Sequence, residues 1–272
     1  MQSKNPFSKK IALVGLLILL GACQTVPISG RRQMTLLPGS EMQALSQQQY
    51  QQVLQKNRVV SKTQQSQQLK TVGRRMAAAV KEYMKEEGLE DQVAGYHWDF
   101  NLIAGNQVNA FAMPGGKVAF YEGIMPICAT EAGIATVMGH EIAHVIARHG
   151  NERMSQGLVQ QAGGMALSAA MKEKPAQTRQ LWMTAYGVAS QVGGILPFSR
   201  LHESEADHMG LIFMAMAGYD PRQAPEFWKR MKKQGGQQPP EFLSTHPSHN
   251  TRIAQLQKWM EEALPYYQPS AK

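Results

Sequence analysis

The sequence predicts an α+β fold, mainly helical, with a small and mostly antiparallel sheet. Three observations carry that expectation. Apolar residues recur at three- and four-residue spacings over long stretches, as at Val72, Met76, Ala79, Val80 and Tyr83. Between residues 96 and 121 the texture changes to short runs with the alternation of strands. Residues 130–149 then return to a helical pattern in which Ile134, Val137, Met138, Ile142, Val145 and Ile146 cover most of the circumference, so this helix is expected to be buried.

The chain opens on a leader rather than on the fold. Lys4, Lys9 and Lys10 precede an uninterrupted apolar and glycine run over residues 11–20, too short for a mature membrane span and fitting a secretory signal. The run ends Leu20-Gly21-Ala22-Cys23, small residues before a cysteine, which resembles a bacterial lipobox cut before Cys23 and acylated on its thiol. Residues 1–22 are therefore read as signal peptide and residues 23–40, with Pro, Gly and basic residues but no periodicity, as a lipidated tether. Gln24 stands where lipoproteins kept at the inner membrane often carry aspartate, so the expected location is the bacterial periplasm, anchored at the outer membrane.

Removing the three leader lysines lowers the formal net charge from +8 to +5. No dense basic cluster with interleaved aromatics follows, which argues against nucleic acid as a partner. With Cys23 acylated, Cys128 is the other of the chain's 2 cysteines, so no intramolecular disulfide is expected. Cys128 is read as a small buried core residue.

The body follows in order. Residues 41–68 are dominated by glutamine with Leu45, Tyr50, Val53 and Leu54 interleaved, and read as helices with an amide-rich outer face. Residues 69–83 continue helically. Strands are expected at 96–103, 108–113 and 117–121, the last two joined by a Pro114-Gly115-Gly116 hairpin turn. Residues 151–194 are helical and rich in Gly, Ala, Met and Ser. Further helices begin near Arg200 and Pro221, residues 235–240 form a loop, and the last helix covers 248–262. Residues 41–265 show no repeat and no linker, so they are taken as a single catalytic domain, with 266–272 as a tail.

Chemistry concentrates in the buried helix, at His140-Glu141-Ile142-Ala143-His144. Residues four apart share a helix face, so His140 and His144 project together, with Glu141 beside them. Polar side chains do not persist on a buried stripe without partners. One zinc ion per chain satisfies both imidazoles and sets Glu141 beside the attacking water. Catalytic zinc usually keeps three protein ligands. The metzincin spacing needs glycine at 147 and histidine at 150, but the chain has Ala147 and Gly150. His149 is instead expected to cap the end of its own helix. The stronger third ligand lies in Arg200-Leu201-His202-Glu203-Ser204-Glu205-Ala206-Asp207. There Glu203 and Asp207 share a face and Glu205 points away, while His202 and His208 are expected on the surface.

HEIAH followed by PFSRLHESEAD resembles metallopeptidase family forty-eight, the gluzincins with HExxH plus ExxxD, over roughly residues 69–260. The branch resembled is the lipid-tethered bacterial one, related to the mitochondrial overlapping-activity protease. The resemblance implies a zincin-like domain whose sheet packs on the HExxH helix. It implies zinc at His140, His144 and Glu203, Glu141 as the base, and Asp207 as acceptor from a ligand imidazole. Asn109-Ala110-Phe111-Ala112 resembles the edge strand to which substrate adds in such enzymes. Ser244-Thr245-His246-Pro247 resembles the family's STHP turn, with His246 as oxyanion donor, as inhibitory fourth ligand, or as helix-entry packing. Arg252 resembles the arginine that braces that loop.

The implied activity is zinc-dependent endopeptidase action on misfolded or misassembled envelope proteins, with protein or peptide substrates and the membrane as partners. The competing reading is a lipid-anchored chaperone or assembly factor whose protease site is plugged by its own His246.

Overall fold

The structure is a computed structural model that describes residues 23–191, 196–234 and 252–269. The chain divides into two compact units. The larger comprises residues 39–149 and 196–272, the smaller residues 1–38 and 150–195.

In the larger unit the glutamine-rich stretch forms α1 (Gly39–Lys56), which buries Met42, Ser46 and Tyr50 and exposes most of its amides. The short strand β3 (Val59–Val60) follows. Thr63 then caps α2 (Gln64–Glu86): its side chain accepts from the Ser66 amide while the Ser66 hydroxyl accepts from the Thr63 amide. Helix α2 buries Leu69, Val72, Met76, Val80 and Tyr83, the spacing that predicted it. The sheet comprises β3, β4 (Asp99–Ile103), β5 (Ala110–Met113) and β6 (Lys117–Tyr121) in the order β3-β4-β6-β5. Two of its ladders are antiparallel, but β4 and β6 run parallel, Asp99 opposite Lys117 and Ile103 opposite Tyr121. Gly115 and Gly116 turn the β5–β6 hairpin with φ of 87° and 80°, backbone that a side chain disfavours. That leaves β5 at the sheet edge, packed against the buried helix.

A one-turn helix α3 (Met125–Cys128) leads to α4 (Glu131–Ile146), whose N-terminus is closed by Thr130 accepting from the Gly133 amide. Every residue of α4 from Gly133 to Ile146 is buried. Around it stand α2, α7 (Leu196–Met216) and α8 (Gln223–Gln234), and α9 (Arg252–Ala263) packs on α7 and α8. The mainly helical α+β architecture expected from the sequence is the one observed. Cys128 is fully buried, as expected.

The helix expected over 130–149 is shorter than its pattern suggested. It closes at Ile146, Arg148 adopts the left-handed conformation with φ of 54°, and His149 begins the next helix, α5 (His149–Ala170).

In the smaller unit, residues 24–40 are not wholly irregular. Strands β1 (Cys23–Thr25) and β2 (Arg32–Met34) pair antiparallel, Cys23 opposite Met34. Order comes from polar contacts that no hydrophobic period reveals. Arg31 donates to both carboxylate oxygens of Glu152, at 2.8 and 2.7 Å, and the Leu36 amide donates to Ser155 Oγ at 2.8 Å. Helix α5 pairs with α6 (Ala176–Ser190) through Tyr186, whose hydroxyl donates to the Gln160 carbonyl at 2.8 Å.

Candidate metal centre

Two glycines determine how the site assembles. Helices α4 and α7 cross where Gly139 meets Gly210, so closely that a Cβ on Gly139 would lie 2.7 Å from the Gly210 carbonyl oxygen. A Cβ on Gly210 would lie 2.7 Å from the His140 amide nitrogen. With no side chains between the backbones, the residues flanking the crossing face one another: His140 and His144 from α4, Glu203 and Asp207 from α7.

His140 Nε2 and His144 Nε2 lie 3.1 Å apart. Glu203 closes the triangle, with Oε2 3.3 Å from His140 Nε2 and Oε1 3.4 Å from His144 Nε2. All three side chains are buried, and one ligand atom from each lies within 4.8 Å of the other two. Tetrahedral ligands about 2.0–2.2 Å from a zinc ion stand roughly 3.3–3.6 Å apart. The observed spacings are of that size.

The hydrogen-bond network fixes which imidazole nitrogens face inward as lone pairs. His140 Nδ1 lies 2.9 Å from Asp207 Oδ1 and donates to it, because a carboxylate only accepts. His144 Nδ1 lies 2.8 Å from His149 Nδ1, and His149 Nε2 lies 3.1 Å from Glu205 Oε2. Glu205 accepts from His149 Nε2–H, so His149 Nδ1 carries a lone pair and accepts from His144 Nδ1–H. With Nδ1 of each histidine occupied as a donor, Nε2 is the nitrogen each ring turns toward the other and toward a carboxylate, and it can hold a cation once no proton sits on it. The donor set fits a divalent metal.

Arg252, at the start of α9, completes the acidic side. It is buried, donates through Nε to Asp207 Oδ2 and through Nη2 to Glu203 Oε2 at 2.9 Å, and stacks 3.9 Å over the Trp228 ring. Trp228 also meets the His140 ring edge to face at 6.0 Å. Burial disfavours a charge on His140, but Asp207 and Glu203 outweigh it and push its pKa up to about 9. Burial holds His144 well below the ordinary imidazole range, against the pull of Glu203. Metal therefore displaces a proton at His140 more than at His144.

The structure brings His140, His144, Glu203, Asp207 and Arg252 together, and Glu141, next in the chain after His140, is buried. Strand β5, carrying Ala110, Phe111 and Ala112 after Asn109, lies against the same helix. His246 falls in 235–251, outside the described residues, as does the side chain of Cys23.

Two expectations are corrected. His149 does not cap its own helix; it is fully buried at the start of the next one and joins His144 to Glu205. His202 is not on the surface; it is fully buried and stacks on His149, ring centroids 4.2 Å apart. His208 is partly exposed, pairing with Glu262 and stacking on Trp259. The overlooked signal was His202 and Glu205, three apart on α7, a second polar stripe beside that of Glu203 and Asp207.

With this geometry in place, comparison with known proteins is decisive. A sequence profile of peptidase family M48 matches residues 63–260. The chain belongs to peptidase family M48. It is 37% identical over 168 residues to the mitochondrial metalloendopeptidase OMA1 of Schizosaccharomyces pombe, covering 61% of this chain and 48% of that one. Identity to OMA1 of Saccharomyces cerevisiae is 36% over 208 residues, 71% of this chain and 55% of that one. The β-barrel assembly-enhancing protease of Escherichia coli K12 is 30% identical over 173 residues, 61% of this chain and 35% of that one. The chain thus spans about half or less of the length of these relatives. The M48 match encloses α2, strands β4, β5 and β6, the helix with both histidines and the helix with Glu203.

Proposed function

We propose that this M48 chain is a zinc-dependent endopeptidase acting on misfolded or misassembled proteins of the bacterial cell envelope. The observation that carries the reading is the convergence of His140 Nε2, His144 Nε2 and a Glu203 carboxylate, with each Nδ1 proton already committed to a partner. When bound there, zinc acidifies a water and polarises the scissile carbonyl. Glu141, next to His140, accepts the proton of the attacking water and returns it to the leaving amine. Asp207 holds the His140 tautomer, and Arg252 holds Asp207 and Glu203 in register. The edge strand, Asn109 to Ala112, receives the substrate backbone as an added strand. His246 is assigned to this site on the STHP resemblance alone.

The envelope as the place of action is supported by the lipobox-like Leu20-Gly21-Ala22-Cys23 and by the E. coli relative, whose name couples a protease with β-barrel assembly. On this reading Cys23 is acylated and tethers the chain in the periplasm, at the outer membrane. The deciding experiment compares wild type with Glu141→Gln for bound zinc and for casein cleavage. Zinc near one per chain in both, with turnover lower by roughly 100-fold or more in the variant, is expected. Undiminished cleavage by Glu141→Gln overturns the role of Glu141, and absence of zinc from wild type overturns the reading as a whole.

A further inference from the structure

Among the described residues of the smaller unit, α5 and α6 each expose an apolar stripe. In α5, Met154, Leu158, Ala162, Met165 and Ala169 recur at intervals of three and four, and all are exposed. They form one stripe, on the side of the helix away from Gln160 and Gly163, which meet Tyr186 of α6. Helix α6 has no buried residue at all. Its Leu181, Ala185 and Val188 recur at i, i+4 and i+7 on the side turned away from Tyr186 and α5, with Leu181 69% and Val188 59% exposed, and Trp182 is half exposed beside them. Among the described residues, eight of the exposed large apolar side chains stand on these two helices. A concentration of this kind marks an interaction surface.

Charge indicates what covers it. The described residues of this unit hold six cations, Arg31, Arg32, Arg153, Lys172, Lys174 and Arg179, against two acids, Glu152 and Glu173. Glu152 is buried against Arg31, whereas Arg32, Arg153, Lys172, Lys174 and Arg179 are exposed. A second copy seated on this face would bring the same positive excess against it. An anionic bilayer brings the opposite sign, and basic groups beside an apolar helix face with a tryptophan are the composition of helices that lie in a lipid interface. Among the described residues no helix is long and apolar enough to cross a membrane. The face is suited to lying on a bilayer.

We propose that the apolar side of α6 turned away from α5 docks on an anionic lipid surface. Cys23 belongs to the same compact unit. The docking rests on the lipidation proposed above only for how the face reaches the bilayer, and acylation is read separately from the mass of the N-terminal peptide.

The test reconstitutes the full chain on vesicles of phosphatidylethanolamine and phosphatidylglycerol with brominated acyl chains, which quench tryptophan within the acyl region. Quenching is expected in wild type, is lost in Trp182→Phe, and falls several-fold in Leu181→Glu/Val188→Glu. It weakens when phosphatidylcholine replaces the anionic lipid, and in high salt, which screens exposed charge. All the substituted side chains are exposed, so folding is not at stake. Failure to associate with the vesicles, or equal quenching with and without Trp182, overturns the proposal. Disulfide-linked dimers through Ala185→Cys on the vesicles overturn it too, assigning the face to a second copy. Loss of acylation with Trp182 quenching retained overturns the lipid anchor alone.

Discussion

His149 Nδ1 stands 2.8 Å from His144 Nδ1, although five residues of continuous helix would place the two side chains about 140° apart around the axis. The left-handed Arg148 makes the contact, by ending α4 and returning the chain so that the first residue of α5 lies against the last turn of α4. Glu205 then fixes the proton on His149 Nε2, which leaves Nδ1 to accept from His144. Partners of this kind orient a ligand imidazole and raise its basicity, and their loss typically costs about 10- to 100-fold in metal affinity. His149→Ala is expected to weaken zinc binding by that order, and Glu205→Gln by less, since an amide oxygen still accepts. Chelator competition on the folded variants measures it. Unchanged affinity in His149→Ala would refute a positioning role.

Arg252 sits between two carboxylates, Asp207 and Glu203, in a setting closed to solvent. Replacing it with methionine leaves both acids buried without their cation, and breaking a buried pair from one side costs about 3–5 kcal/mol. Urea unfolding of metal-free Arg252→Met should show a loss of that size. Lysine is expected to rescue little, because it cannot bond two carboxylates while stacking flat on Trp228. A metal-free Arg252→Met as stable as wild type would mean that the acids hold each other in protonated form.

These two contacts show what the sequence could and could not disclose. The convergence of HEIAH with HESEAD is legible from spacing, since i and i+4 on a helix is a local property and burial of the helix follows from its apolar neighbours. Glu203, 59 residues beyond His144, is reached by the same logic plus the need for three donors around a metal. His149 and His202 were misread because their burial depends on one non-helical residue, Arg148, and on how two helices face each other. The β1–β2 hairpin was likewise hidden, since polar contacts, Arg31 with Glu152 and Leu36 with Ser155 among them, order it and no apolar period announces it. The parallel pairing of β4 with β6 is a matter of topology, which alternation along each strand does not encode.

Cys128 tests the core beneath the site. Burial pushes its pKa from the ordinary 9.0 up to about 12, only partly opposed by Arg230. The native thiol is therefore expected to be inert to a thiol reagent at pH 8 and to react at once in denaturant. The unfolded thiol ionises first as pH rises, so stability is intact below about 9 and falls between 9 and 12, by about 1.4 kcal/mol per pH unit from this group. A native chain whose Cys128 reacts as fast as the denatured one contradicts the burial.

The crossing of Gly139 and Gly210 yields the most demanding prediction. A single methyl group on either residue meets backbone, not a flexible side-chain end: the Gly210 carbonyl oxygen in one case, the His140 amide in the other, each at 2.7 Å. Alanine normally favours a helix interior over glycine by about 1 kcal/mol, so local propensity alone would make both substitutions stabilising. Packing predicts the opposite, because overfilling a close contact typically costs about 1–3 kcal/mol. The shift that admits the methyl also separates α4 from α7, and with them His140 and His144 from Glu203. Gly139→Ala and Gly210→Ala are therefore expected to lower both the urea midpoint and zinc affinity. Each substitution should weaken zinc binding although neither residue bears a ligand atom. A rise in stability with zinc affinity unchanged would show that the helices can part without opening the site, and the glycines would lose their assigned role.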